Sequence, residues 1–231
     1  MTDAALALTD LSFAWPGGGS FAIHCPTFTL RRGERVLLLG ESGSGKSTLL
    51  SLICGIVTPD QGQVEVDGID IGALRPGDRD RFRAERIGVI FQQFNLLPYA
   101  SVADNIALPL RFAPDRRARA GDPRAEAARL CAALALPDTV LATPAGRLST
   151  GQQQRVAAAR ALIGAPPLIV ADEPTSALDA TAQDGFLRLL FDQAEEADSS
   201  ILMVSHDARL ADRFDRAVAL TDIVRRQRAA A

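Results

Sequence analysis

The chain has 231 residues and a formal net charge of −3, with 47% hydrophobic and 23% charged residues. That much apolar material excludes intrinsic disorder as the main state, and the nearly balanced charge excludes bulk electrostatic attraction to nucleic acid. No apolar run approaches the ~18 residues that cross a bilayer, and the three scattered cysteines (Cys25, Cys54, Cys131) form no CxxC pair, so neither a disulfide framework nor a zinc site is expected.

Met1-Thr2-Asp3 lacks a positive region followed by an apolar stretch, so no secretory leader is expected and the chain reads as soluble and cytoplasmic. Residues 6–13 and 21–30 read as strands on either side of the turn Pro16-Gly17-Gly18-Gly19. The continuous apolar run RVLLL at 35–39 reads as a strand buried on both faces. Residues 47–54 have helical spacing. Residues 63–66 and 87–91 are further strands, with Pro59-Asp60-Gln61-Gly62 as a turn. From about 92 to 164 the pattern is helical and alanine-rich, with helices over 101–110, 123–136 and 152–163. Between the first two, 111–124 carries five arginines, two prolines and a glycine. Charge runs usually face water, so this stretch reads as a solvated connection. LIVA at 168–171 is a buried strand, 186–196 a helix, ILMV at 201–204 another strand, and 225–231 a frayed end. Strands alternating with helices imply an α/β fold with a mainly parallel sheet, interrupted by a helical block. In such sheets ligands sit at the carboxyl ends of the strands.

Gly40-Glu41-Ser42-Gly43-Ser44-Gly45-Lys46-Ser47 fits G-x-x-x-x-G-K-[ST], between the 35–39 strand and the following helix, as a P-loop requires. Glycines let successive N–H groups curl toward an anion, and the helix dipole adds positive potential there. Lys46 would reach the β- and γ-phosphates and the Ser47 hydroxyl would hold Mg2+. Of the 25 basic residues 24 are arginine, and Lys46 is the one lysine. A lysine kept against that bias suits a compact point charge in a tight loop. The strand 168–171 delivers Asp172-Glu173, where Asp172 would enter the Mg2+ shell and Glu173 would polarise an attacking water. His24 reads as a strand surface residue, Cys54 as core filler, and Glu195-Glu196 as a solvated helix end.

With Leu148-Ser149-Thr150-Gly151-Gln152-Gln153-Gln154-Arg155 in the helical block, the chain resembles the ATP-binding-cassette (ABC) ATPases over nearly its whole length, with all motifs in order. The resemblance implies a P-loop NTPase cassette: a RecA-like, mainly parallel core with antiparallel N-terminal strands and an inserted helical subdomain. Residues 1–91 and 165–231 would form the nucleotide core and 92–164 the signature subdomain. The stretch at Ser149 resembles the LSGGQ signature, so Ser149, Gly151 and Gln152 would cap the ATP of a second subunit. Gln92 looks like the Q-loop glutamine that contacts Mg2+. Asp179, in Ser176-Ala177-Leu178-Asp179, looks like the D-loop aspartate. His206 looks like the switch histidine, and Trp15 like the aromatic that stacks on adenine. Thr48, next to Ser47, joins the nucleotide contacts. Thr150 stands where the family most often has glycine. Either the backbone there is ordinary, or the cap is altered.

The resemblance implies ATP and Mg2+ as ligands, with no other metal and no nucleic-acid partner, and a homodimer formed around two ATPs. Separate integral membrane subunits would be driven from the cytoplasmic face. Phe94-Asn95-Leu96-Leu97-Pro98-Tyr99 and Asn105-Ile106-Ala107-Leu108-Pro109-Leu110 look most like the group containing the lipoprotein-release and macrolide-export ATPases. Apolar residues over 94–99 would form an exposed docking surface. The short stretch after His206 leaves no room for an importer-type regulatory domain, and no glutamate-bearing exporter segment precedes Leu148. The alternative is an ABC ATPase that signals through a membrane partner without transport.

Overall fold

The computed structural model describes residues 3–16, 22–41, 43–176 and 178–227. The glycines of the 16–19 turn, Phe21, Ser42, Ala177 and residues 228–231 lie outside them. In chain order the elements are β1 (Ala4–Ala14), β2 (Ala22–Arg31), β3 (Arg35–Leu39), α1 (Lys46–Ile53), β4 (Gln61–Val66), β5 (Ile69–Asp70), α2 (Pro76–Arg86) and β6 (Ile87–Ile90). They continue with α3 (Val102–Ala107), α4 (Pro114–Ala120), α5 (Pro123–Ala133), α6 (Thr150–Leu162), β7 (Leu168–Asp172), α7 (Ala180–Glu196), β8 (Ser200–Ser205), β9 (Arg216–Ala219), α8 (Leu220–Ile223) and β10 (Arg225–Gln227). No helix among the described residues is long and apolar enough to cross a membrane. The chain divides into two compact units, residues 1–83 with 200–231, and residues 84–199.

The first unit holds an antiparallel sheet in the order β10-β2-β1-β4-β5. Alternation sets its faces. Ile23, Cys25, Phe28 and Leu30 of β2 are buried, while their neighbours are more open. Leu6, Leu8 and Phe13 of β1 lie opposite Leu30, Phe28 and Ile23. The turn expected at 59–62 is shorter than the sequence suggests. Gln61 and Gly62 already belong to β4, with Gln61 paired to Ser12. A Cβ on Gly62 would sit 2.3 Å from the Asp10 carbonyl oxygen, so only glycine admits the irregular β1 backbone there. Residues 225–227 are not frayed but pair with β2 through Arg225↔His24. The same unit carries parallel strands β8, β3 and β9, with Leu38 opposite both Val204 and Val218. Val36, Leu37 and Leu38 are fully buried, as the RVLLL run requires.

In the second unit β6 and β7 pair in parallel, Ile87↔Leu168 to Ile90↔Ala171. The alanine-rich α6 packs on β6 so closely that a Cβ on Gly88 would lie 2.2 Å from the Ala161 carbonyl oxygen. Phe186, Leu187, Leu190, Phe191 and Ala194 form the buried stripe of α7. This helix begins six residues before the expected 186, because Asp179 caps it by accepting from Ala182 N at 2.9 Å. The expected helix 101–110 ends as α at Ala107 and tightens into a 3-10 turn over Leu108–Arg111, where Pro109 lacks an N–H for the α ladder. The expected helix 123–136 stops at Ala133, with Ala135 at φ 53°. Nothing in the sequence marks α2. Glu85 is its one buried residue, so it has no apolar stripe to read.

The stretch 111–124 is not a solvated connection. It contains α4, and Arg116 within it is 1% exposed. Its guanidinium donates to five carbonyls, those of Ala84, Ile87, Arg160, Ala161 and Ile163, at 2.6–3.3 Å. Burial pushes the Arg116 group down to about 9, with the neighbouring Arg119 adding to the effect. The Glu85 carboxylate accepts from the Asp115 and Arg116 amides at 3.1 and 2.7 Å and so caps the start of α4. A charged residue is tolerated at this depth because every polar edge finds a partner.

Candidate functional site

The P-loop follows β3 and ends in α1. The fold closes it tightly: a Cβ on Gly40 would meet Ser44 Oγ at 2.7 Å. Gly43 and Gly45 take φ 74° and 102°, left-handed backbone that favours glycine, and Ser44 N between them donates to the Glu41 carbonyl at 3.1 Å. Gly40 N donates to Ser205 O at 3.1 Å, which ties the loop to the end of β8, directly before His206. His206 is exposed, and Asp207 beside it accepts from Arg209 N at 3.0 Å.

Lys46 is 8% exposed, and its Nζ donates to the Gly40 carbonyl at 2.7 Å, so its charge lies within the loop. Ser44 Oγ is buried with no hydrogen-bond partner among the described residues. A buried ammonium, a buried hydroxyl with no partner among the described residues and a helix N-terminus together fit a phosphate chain. Glu41 and Ser47 are exposed at the loop's rim, and Thr48 is half-buried. Trp15 is 43% exposed. Its Nε1 donates to Thr48 Oγ1 at 3.2 Å, and its ring meets Phe13 edge-on at 5.1 Å and 86°. The indole is thus fixed one residue from Ser47 with its bulk still open to a planar ligand.

In the second unit β6 leads to Gln92 and β7 to Asp172 and Glu173. Because Ile90 is opposite Ala171 in parallel register, these residues emerge at the same strand ends. Gln92 is exposed, Asp172 and Glu173 half-buried, and Glu173 has φ 42°. Ser149 is the N-cap of α6 and forms a capping box with Gln152. Gln152 N donates to Ser149 Oγ at 3.4 Å and Ser149 N to Gln152 Oε1 at 3.0 Å. The helix therefore starts at Thr150, two residues before the expected 152. Gln154 Nε2 donates to the Pro174 carbonyl at 2.7 Å, holding the chain just beyond Glu173.

Thr150 is the first helical residue and is not among the described residues with positive φ, so the ordinary-backbone alternative holds. Gly151 likewise has no positive φ, and a Cβ there meets nothing within 4 Å. Thr150→Gly should therefore leave ATPase turnover within about twofold. It should lower the melting temperature by a few degrees, since glycine adds about 0.5–1 kcal/mol of unfolded-state freedom. Steady-state kinetics and a thermal melt check both; a clear rise in turnover at low ATP without loss of stability is the contrary result.

Several buried polar residues carry no motif, and three of them organise backbone near the site: Asn105, Arg116 and Arg160. Asn105 is fully buried and pins the 97–101 segment, accepting from Leu97 N at 2.8 Å and donating to the carbonyls of Leu97, Ala100 and Ser101. A polar residue inside an apolar helical pattern was the signal available for Asn105. For the arginines, bracketed by a charge run and by alanines, there was none. Burial also pushes the Cys25 and Cys131 thiols up to about 11, which makes them unreactive filler.

A P-loop joining a buried parallel strand to a helix, with an acidic pair closing another parallel strand, defines a P-loop nucleoside triphosphatase. The ABC transporter family model matches residues 23–176. The lipoprotein-releasing system ATP-binding protein LolD of Anaeromyxobacter dehalogenans is 44% identical over 200 residues, covering 87% of this chain and 82% of that one. The macrolide export ATP-binding/permease protein MacB of Rhodopirellula baltica is 39% identical over 196 residues, 85% of this chain but 28% of that protein. The solved dimeric, post-hydrolysis state of an ATP-binding cassette bound to ADP and Pi superimposes with a TM-score of 0.81 at 32% identity. It covers 98% of this chain and 99% of that one. The chain belongs to the ABC transporter family, as an ATP-binding cassette that hydrolyses ATP. The resemblance to the lipoprotein-release and macrolide-export group is borne out by these relatives.

Proposed function

We propose that this cassette works as a homodimer closed by two Mg-ATP, on the cytoplasmic face of a membrane, and that it drives membrane-embedded partner subunits. The observation that carries the reading is the P-loop itself: a buried cation, and a buried hydroxyl with no partner among the described residues, inside a cradle where a Cβ on Gly40 would crowd that hydroxyl at 2.7 Å. Lys46 and the amides at the start of α1 would hold the β- and γ-phosphates, and Trp15 would stack on the base. Ser47, Gln92 and Asp172 supply the oxygen donors that Mg2+ prefers, and the ion would offset phosphate charge. Glu173 would accept the proton of the attacking water, and His206 would donate to the γ-phosphate region. Residues 1–91 with 165–231 act as the nucleotide core in this reading, and 92–164 as the signature subdomain.

Closure by a second copy is supported by two features of α6. Its N-terminus is exposed at Ser149 and Thr150, and Gly151 is required neither by backbone conformation nor by packing against the described residues. A glycine with open space above it suits the close approach of a bound phosphate from outside. Ser149, Gly151 and Gln152 would face that phosphate, with Asp179 near the join. The dimeric state of the superimposed cassette supports the same arrangement.

The partner surface is assigned to the helical block. The expected exposed cluster 94–99 is divided: Phe94 is buried, Leu96 and Leu97 are half-buried, and Tyr99 is 80% exposed. Phe94 turns inward because its left-handed backbone reverses the chain there. Leu97 and Tyr99 line a cleft of about 490 Å³ with Leu108, Leu110, Arg111 and Arg117. Such a cleft suits an amphipathic segment of a membrane subunit. Tyr99→Glu should abolish co-purification with the membrane subunits, while ATP affinity of the isolated cassette, read by calorimetry, stays within about twofold. Intact co-purification would move the docking site elsewhere.

A further inference from the structure

The turn that carries Gln92 is built on unfavourable backbone. Phe94 N donates to Phe91 O at 2.9 Å and Asn95 N to Gln93 O at 2.6 Å, so Gln92 sits inside a tight turn closed by Phe94. Phe94 and Asn95 have φ 60° and 49°, and neither is glycine. Two consecutive left-handed residues, one of them a bulky aromatic, persist where the surroundings over-determine them.

Arg160 supplies that determination. It lies on α6, eleven residues beyond the Ser149 cap, and is 7% exposed. Its Nη2 donates to the Phe94 carbonyl at 2.5 Å and its Nη1 to the Asn95 carbonyl at 2.7 Å. Burial lowers the affinity of its guanidinium for the proton. No carboxylate forms an ion pair with it among the described residues; the two left-handed peptide groups take its fork. A planar guanidinium offers two donors at fixed spacing, and a lysine ammonium cannot reproduce this.

We infer that Arg160 is a positioning residue: from the helix that begins at the signature, it clamps the Phe94–Asn95 turn and so sets where the Gln92 side chain stands. The inference rests on the role given to Gln92 above. Because α6 is one continuous helix from Thr150 to Leu162, a displacement of its signature end is passed to the Gln92 turn through the same two hydrogen bonds. Arg160 touches no phosphate in this reading and acts only through backbone.

The test combines kinetics with amide exchange. Arg160→Lys should lower kcat by about tenfold or more, the scale of a small misplacement of a reacting group, while KM for ATP changes by less than about twofold. In a Gln92→Ala background the same substitution should add no further loss, because the group it positions is gone. In the wild-type protein without nucleotide, the Phe94 and Asn95 amides should be protected from exchange. In Arg160→Lys they should exchange faster, while β6 and α6 amides keep their wild-type rates. Additive losses in the double variant would overturn the inference, and so would wild-type Phe94 and Asn95 amides exchanging at the rate of open chain, a measurement that needs no variant to fold. If Gln92→Ala alone leaves kcat unchanged, the role of Gln92 fails, and the exchange rates still decide whether Arg160 holds the turn.

Discussion

Lys46→Ala should abolish measurable ATP hydrolysis and weaken Mg-ATP binding. Residues 40–48 carry no second basic side chain: Lys46 is the chain's one lysine, and its Nζ lies on the Gly40 carbonyl inside the P-loop. A preorganised charge in a shielded site contributes far more than it would in water, and removing one such donor typically costs about 10²–10³-fold in rate. Lys46→Arg should restore little. The guanidinium is wider and planar, and the loop is closed tightly enough that a Cβ on Gly40 would already collide with Ser44 Oγ at 2.7 Å. Calorimetry with Mg-ATP and a phosphate-release assay measure the two effects. Unchanged affinity together with normal turnover would remove Lys46 from the site.

Glu173→Gln should bind ATP but hydrolyse it roughly 10²–10⁴-fold more slowly, the range for loss of a general base. Glutamine keeps the size and most of the hydrogen bonding of the side chain, so the backbone at φ 42° should persist. With hydrolysis slowed, the ATP-bound dimer should accumulate, and light scattering should report about twice the 24.6 kDa of the single chain at saturating Mg-ATP. The wild type should return to the single-chain mass as ATP is consumed. A Glu173→Gln protein that stays at the single-chain mass would contradict closure by two copies.

The P-loop was legible because its chemistry is local. A strand buried on both faces, glycines at turn positions and a helix start all lie within 35–53, and each leaves its mark on neighbouring residues. The start of α6 was partly legible for the same reason: Ser149 and Gln152 have capping-box spacing, although the alanine-rich pattern drew the expected start two residues late. The left-handed Phe94 and Asn95 were illegible. Neither residue type favours that backbone strongly enough to announce it, and the groups that stabilise it come from α6, 65 and 66 residues away.

The sequence by itself determined the alternation of strands and helices around the P-loop, the acidic pair and the signature, though not α2, α4, β5, β9, α8 or β10; it also determined the positions of Gly40 to Thr48, Asp172, Glu173 and Ser149, and the family that those motifs identify. Each depends on interactions within a few residues, so residue type and spacing suffice to encode it. Only the tertiary structure decided that Arg116 is buried rather than solvated, that Arg160 clamps the turn after Gln92, and that Phe94 turns inward while Tyr99 stays exposed. The physical reason is that these arginines bind main-chain carbonyls. Every residue carries such a carbonyl, so the partner leaves no trace in the sequence, and the five that hold Arg116 come from residues 29 to 47 positions away.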